Sequence, residues 1–207
     1  MDTSQIRPSG DTASPSQQAF FDTLLSRQSY WPLAEPGPND TELDLIFDAA
    51  MRAPDHGALR PWRFALIRDD ARAEFGDVLV DVAARREPGK PRAEHEHRRQ
   101  LAYTAPLVIV IAAAPSAHSH IPETEQLLSV GAAAMNMLNA IHALGYGGFW
   151  ATGADAYDAN LQAALDFEPS ERVLGFLFVG KPKSREHSAV RPPHSRYVRE
   201  WLGRMSV

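Results

Sequence analysis

Cysteine is absent from this chain. That excludes disulfides, thiolate nucleophiles and any cysteine-ligated zinc or iron–sulfur centre. An excess of positive charge is missing too. Lys and Arg number 21 against 26 Asp and Glu, a formal net charge of −5. Such a chain has no general attraction for nucleic acid or an anionic membrane surface, so any anion must be held by a local cluster of donors. Long apolar runs are also lacking. The longest, residues 105–114, falls well short of the ~20 residues a spanning helix needs. The opening MDTSQIRPSGDTASPS has no apolar segment of the secretory kind. The expectation is a cytoplasmic protein with no membrane and no nucleic-acid partner. What is present is 44% hydrophobic and 9% aromatic residues over 207 positions, enough to build one ordinary core.

Residues 1–16 read as a flexible lead-in and 17–207 as one domain, with an arm from about residue 183 that is rich in Arg, Pro and His. Ser14, Pro15 and Gln17 form a helix start: a cap, a proline at the first helical position and the partner of a capping box. Phe20, Phe21, Leu24 and Leu25 give that helix an apolar stripe. Asn39 and Glu42 mark a second start, and Leu43, Ile46, Phe47 and Ala50 recur at helical spacing until Pro54 stops them. Residues 62–68 read as a strand, 71–86 as an amphipathic helix and 93–103 as a charged helix. Residues 107–114 are apolar without alternation, as in a strand covered on both faces. Residues 123–144 form a helix of small apolar residues, apolar nearly all round, that belongs in the centre of the molecule or in a subunit interface. Residues 149–152 read as a short strand, 158–166 as a short helix and 173–179 as a buried strand. Helices and strands mix without a βαβ rhythm, which favours α+β. No G-x-G-x-x-G follows a strand.

Four constellations could carry chemistry. Arg27-Gln28-Ser29, at the end of the first helix, could hold a phosphate through the guanidinium fork and the hydroxyl; equally, Arg27 could only complement the helix dipole. Arg52 and His56, on the turn that Pro54 makes, could face an anionic ligand or simply water. Gly147 and Gly148 before Phe149, Trp150, Ala151 and Thr152 would let a planar ligand approach the backbone; the alternative is a plain helix stop entering a core strand. His95 with His97, and His118 with His120, suggest a metal only weakly. Histidines at i and i+2 of a helix point to different sides, and the second pair has no third ligand. No metal site is expected.

The order of these segments is more specific than any one of them. Arg-x-Ser after a first helix is followed by MRAPDHGALRPWRF (51–64), then by GYGGFWATG (145–153) at the end of a small-residue helix, then by VLGFLFVGKP (173–182). This series, spanning about residues 18–182, resembles the nitroreductase family, and within it the short bacterial NAD(P)H nitroreductases with the motif M-R-A-P-D-H. The resemblance implies an α+β fold with a central mixed sheet flanked by helices, in an intertwined homodimer with FMN at the subunit interface. It implies electron transfer from NADH or NADPH to small oxidised acceptors such as nitroaromatics or quinones, in a ping-pong cycle with the flavin carrying the chemistry and no catalytic side chain. By position it assigns Arg27, Gln28 and Ser29 to the FMN phosphate and ribityl chain, and Arg52 and His56 to flavin contacts from the partner subunit. Trp150, Ala151 and Thr152 would lie along the flavin. Ala140, Ile141, His142, Ala143, Leu144 and Gly145 would meet the nicotinamide nucleotide, and Lys181 would be a second phosphate partner. The chain departs from the family at Gln28 and Ala151, where arginine is frequent, so one positive charge is missing from the phosphate site. Two other readings follow: a flavin-binding relative with different chemistry (dehalogenation or flavin fragmentation), and a dimeric scaffold that does no catalysis.

Overall fold

The computed structural model describes residues 14–184 and 190–203. The lead-in up to residue 13 and part of the arm lie outside the described residues. Helix α1 runs Pro15–Ser26 and α2 Asp40–Ala50. Both begin in full capping boxes. The Ser14 side chain accepts from the Gln17 N–H and that of Asn39 from the Glu42 N–H, while Gln17 and Glu42 reach back to the cap backbone. Each pairing satisfies two of the amide donors that a helix start leaves open. Helix α1 thus begins inside the segment assigned to the lead-in.

The sheet has five strands: β1 Leu33–Ala34, β2 Trp62–Arg68, β3 Leu107–Ala113, β4 Gly147–Ala151 and β5 Arg172–Pro182. Their order is β1-β5-β3-β2, with β4 also pairing β5. All four strand pairings are antiparallel. The one parallel element among the described residues is an isolated bridge between Ser29 and Gly148, so the mixed character expected of the sheet reduces to that bridge.

Strand β3 is buried at every residue. Its alternate side chains feed two cores. Leu107, Ile109 and Ile111 face α2 and α4 (Glu123–Ala143), meeting Ile46, Met137 and Ile141. Val108, Val110 and Ala112 face the opposite layer, made of α3 (Ala71–Arg86), the segment 92–103 and α5 (Ala159–Ala164). A large side chain taken fully from water contributes about 1.5–3 kcal/mol, which is why an uninterrupted apolar run sits at the centre of a three-layer stack.

Four expectations change. Residues Arg92–Tyr103 form 3-10 turns where an α-helix was expected; the segment lies against α3 with His95 and Ala102 buried, and Arg92 and Arg99 tie it sideways to Asp77 and Asp81 of α3. Strand β1 lies in the Pro/Gly-rich connection, where no periodicity signals it. Strand β4 begins at Gly147, not at Phe149. Strand β5 runs on to Pro182, so Lys181 lies within it, opposite Ala34. Helix α1 also differs from a core helix, since none of its residues is buried and Phe20 and Leu25 are 62% and 76% exposed.

Candidate functional site

The end of α1 carries the first constellation. Arg27 caps α1, and two residues on Ser29 bridges Gly148 while the Tyr30 N–H donates to the Gly148 carbonyl at 3.4 Å. The loop after α1 is therefore stitched to β4. Partial burial lowers the Arg27 pKa from its ordinary value, and so does a second guanidinium, Arg191. Neither arginine has an ion pair with a carboxylate among the described residues. Two like charges held together with no counter-ion are a poised anion site. Arg191 escaped the sequence reading because nothing local marks it: it stands in the arm, far along the chain from Arg27.

The motif MRAPDHGALRPWRF divides by role. Asp55 accepts hydrogen bonds from the Leu59 and Arg60 N–H groups at 3.2 and 2.7 Å. Gly57 sits at φ +74°, and a Cβ there would lie 2.4 Å from Ile121 Cδ1; glycine is favoured at that point of the turn. Ala53 is buried, and Trp62 packs on the core. These residues build the turn. Arg52 and His56 are exposed, as are Arg60 and Arg63. The His56 Nδ1 stands 2.6 Å from Glu125 Oε2 on α4, a partner the sequence did not signal.

Arg52 lines an apolar cleft of about 660 Å³ between α1, the end of α2 and α4, together with Phe20, Leu24, Asn139, Ala140 and Ala143. Fold contacts thus bring Arg52 to the same cleft as two residues assigned to the nicotinamide nucleotide. Among the described residues Asn139 Oδ1 is buried without a hydrogen-bond partner, a state that folded proteins rarely leave unfilled. The rest of that stretch divides. Ile141 is fully buried in the core, so its side chain has no open surface for a nucleotide. His142 Nε2 lies 2.9 Å from Ser26 Oγ, tying the ends of α1 and α4 together. Leu144 caps α4 and Gly145 turns at φ +77°.

Two further placements depart from expectation. Lys181 Nζ lies 3.6 Å from the centroid of the Tyr146 ring and donates to the Gly145 carbonyl at 3.2 Å; its charge is engaged with the end of α4. The Tyr146 hydroxyl in turn donates to Glu42 at 2.8 Å. The backbone N–H of Asn39 and the Tyr146 hydroxyl hold the Glu42 carboxyl below its usual range. Gly147 and Gly148 are packed against protein, not opened toward a ligand: a Cβ would lie 2.7 Å from Leu33 Cδ2 at the first and 2.8 Å from Leu138 Cδ2 at the second. That close packing accounts for glycine at both positions as part of a core strand. Beyond them, Trp150 is 36% exposed and Thr152 is open to solvent. His95 is buried and His97 Nδ1 meets the Glu94 carbonyl. Among the described residues no group of three or more His, Asp or Glu could hold a metal ion, and no helix is long and apolar enough to cross a membrane.

An antiparallel sheet between two helical layers, with unpaired arginines beside an apolar cleft, defines an α+β protein with a cation-edged ligand site. Comparison with known proteins narrows this. The family model described as "Nitroreductase family" matches residues 26–181. "Putative NAD(P)H nitroreductase YdjA" of Escherichia coli K12 is 33% identical over 173 residues, covering 84% of this chain and 93% of the relative. Among solved structures, a nitroreductase-like family protein from Bacillus cereus superposes with a TM-score of 0.78 at 18% identity, covering 95% of this chain and all of that one. A putative nitroreductase from Desulfovibrio desulfuricans, solved in complex with FMN, gives a TM-score of 0.68 at 25% identity over 93% of this chain and all of that one. The chain belongs to the nitroreductase family, a family of oxidoreductases.

Proposed function

We propose that this chain is a homodimeric, cytoplasmic FMN-dependent oxidoreductase that takes electrons from NADH or NADPH and passes them to a small oxidised acceptor, a nitroaromatic or a quinone. The observation that carries the proposal is the pair Arg27 and Arg191: the second guanidinium acts on the half-buried first, and neither has an ion-pair partner among the described residues. A phosphate monoester would relieve that repulsion and use both as charge-assisted donors. Arg191 would supply the positive charge that Gln28 does not. Ser29, exposed at the seam with β4, adds a hydroxyl, and Gln28 contributes through its backbone. The engaged Lys181 is left to hold the end of α4.

Bound flavin supplies two-electron hydride chemistry; the protein's work is to hold, orient and cover it. Trp150, Ala151 and Thr152 offer an aromatic face and a hydroxyl along the ring system. Arg52, which forms no ion pair among the described residues, brings positive charge to the ring edge where negative charge collects on reduction. Arg52 and His56 would serve the flavin bound mainly by the other subunit. The uncovered apolar side chains Phe20, Phe21, Leu25 and Met135 and the orphaned Asn139 Oδ1 fit a second copy over α1 and α4. Donor and acceptor would occupy the same open face in turn, with Ala140 and Ala143 at its border.

The test is an absorption spectrum of the purified protein followed by anaerobic titration with NADH and NADPH. The proposal expects a yellow dimer whose visible band bleaches with one or both donors and returns with a quinone. A colourless dimer that refuses added FMN overturns it in favour of a scaffold. A yellow protein inert to both donors favours dehalogenating or flavin-fragmenting chemistry instead.

A further inference from the structure

We infer that Glu125 is a positioning residue for His56: its carboxylate accepts a hydrogen bond from the Nδ1–H of the imidazole and leaves Nε2 as the ring's free nitrogen, presented to the N–H of the flavin pyrimidine. The inference rests on the reading that His56 meets the flavin. Its basis is a hydrogen bond of 2.6 Å between Nδ1 and Glu125 Oε2, at the short end for a charge-assisted N–H···O⁻ bond.

An ionised carboxylate can only accept, so Nδ1 must carry the proton. In the neutral ring Nε2 is then an acceptor, and among the described residues it has no partner. The oxidised flavin ring system offers one N–H, on its pyrimidine. The match of one free acceptor to one donor is chemical, and it depends on the tautomer that Glu125 selects.

The backbone under His56 is already rigid. Asp55 ties the turn through the Leu59 and Arg60 N–H groups, and Gly57 leaves no room for a larger residue beside Ile121 without a shift. The ring's rotation about its own side-chain bonds is the freedom left, and the bond to Glu125 removes it. Glu125 is itself well anchored. It sits in the first turn of α4, where the helix dipole favours a carboxylate, and its carbonyl accepts from the Ser129 hydroxyl. Both side chains of the pair are about half exposed or more, 62% and 46%. A pair so open adds little to stability, so what the contact provides is orientation. The same logic governs histidines whose second nitrogen is held by a carboxylate so that the first can act.

The test uses the full chain. FMN dissociation constants are measured by fluorescence titration of the apoprotein for wild type, Glu125→Ala, Glu125→Gln, His56→Ala and the double alanine variant, and the imidazole tautomer is read by nitrogen NMR without flavin. The proposal expects the Nδ1–H tautomer in wild type and its loss in Glu125→Ala. Each single alanine variant should bind FMN about fivefold more weakly, the loss of one hydrogen bond, and the double variant no more weakly than either. Glu125→Gln, which keeps an acceptor oxygen, should recover most of the affinity. Independent, multiplying losses in the double variant would overturn the positioning role, as would a wild-type ring protonated at Nε2 alone. If His56→Ala leaves FMN affinity unchanged while the NMR still reports the Nδ1–H tautomer, the pair stands and the assignment of His56 to the flavin falls. Unchanged melting of the apoproteins guards against a folding artefact.

Discussion

The α3 layer and the surface around α1 use arginine in opposite ways. On the α3 side, Arg86, Arg92, Arg98 and Arg99 each meet at least one carboxylate. At the centre, Asp155 is 2% exposed and accepts from both Arg86, at 2.6 Å, and Arg98. On the other side Arg68 and Arg172 are likewise paired, with Asp40 of α2 and Glu123 of α4, but around α1 Arg27, Arg52 and Arg191 have no such partner among the described residues. The α3 layer spends its positive charge on closing the fold. The surface around α1 keeps it available, where it costs repulsion and is useful only if an anion arrives. A paired cation points to architecture and an unpaired cluster beside a cleft points to a ligand. Neither distinction can be drawn from counting arginines.

The sharpest way to break this comparison is at Asp155. Removing a buried acid from between two arginines leaves both uncompensated, so Asp155→Ala should cost about 3–5 kcal/mol of unfolding free energy, read by urea denaturation, with FMN affinity of the folded fraction unchanged. A variant of normal stability but weakened FMN binding would reverse the roles given to the two regions. Next is Arg27→Ala. It should purify with little flavin and lose about 1.5–3 kcal/mol of FMN binding, while its affinity for riboflavin, which lacks the phosphate, stays near wild type. Arg191→Ala should show the same contrast in smaller degree. A fully yellow Arg27→Ala protein with unchanged FMN affinity would sink the phosphate assignment.

A fourth variant tests the strand that joins the layers. Gly175 has φ +141°, and a Cβ there would lie 2.6 Å from the Ala151 carbonyl and from Trp150 Nε1. Gly175→Ala should cost about 1–3 kcal/mol and shift Trp150 fluorescence, since β4 must move away from β5. The smallest effect concerns pH. Glu42 is held below its ordinary 4.5 by the Asn39 N–H and the Tyr146 hydroxyl, and Asp77 below its ordinary 3.8 by Arg99. Each folded pKa lies below the unfolded one, so the stabilisation is complete above the unfolded value and is lost as pH falls through the folded one. The melting temperature should therefore be level near neutrality and decline once pH drops below about 4.5. Glu42→Gln and Asp77→Asn should each flatten part of that decline.

Much of the fold was legible because its signals are local. A capping box joins residues three apart, and both boxes formed where Ser14–Gln17 and Asn39–Glu42 predict them. Strand β3 and helix α4 are marked by their own apolar patterns. Strand β1 was not legible: two residues in a proline-rich connection become a strand only because β5 passes beside them. The 3-10 run at 92–103 has the composition of a helix, and nothing local in the sequence marks its departure from one; it lies against α3 with His95 and Ala102 buried. The candidate site divides in the same way. Arg27, Arg52 and His56 were marked by order and motif. Arg191 and Glu125 were not, since each matters only through a neighbour far along the chain. For His56 and Glu125 the separation is 69 residues.

By itself the sequence determined what this protein cannot be and where its helices begin. It holds no cysteine chemistry and carries no basic surplus, and its capping and periodicity follow from contacts a few residues long. Tertiary structure alone decided which arginines are satisfied and which are left waiting, that Gly147 and Gly148 pack closely against Leu33 and Leu138, and that Lys181 is engaged with Tyr146. Those outcomes depend on which distant groups the fold brings within a few ångströms, and electrostatic and packing energies are set by that distance rather than by separation along the chain.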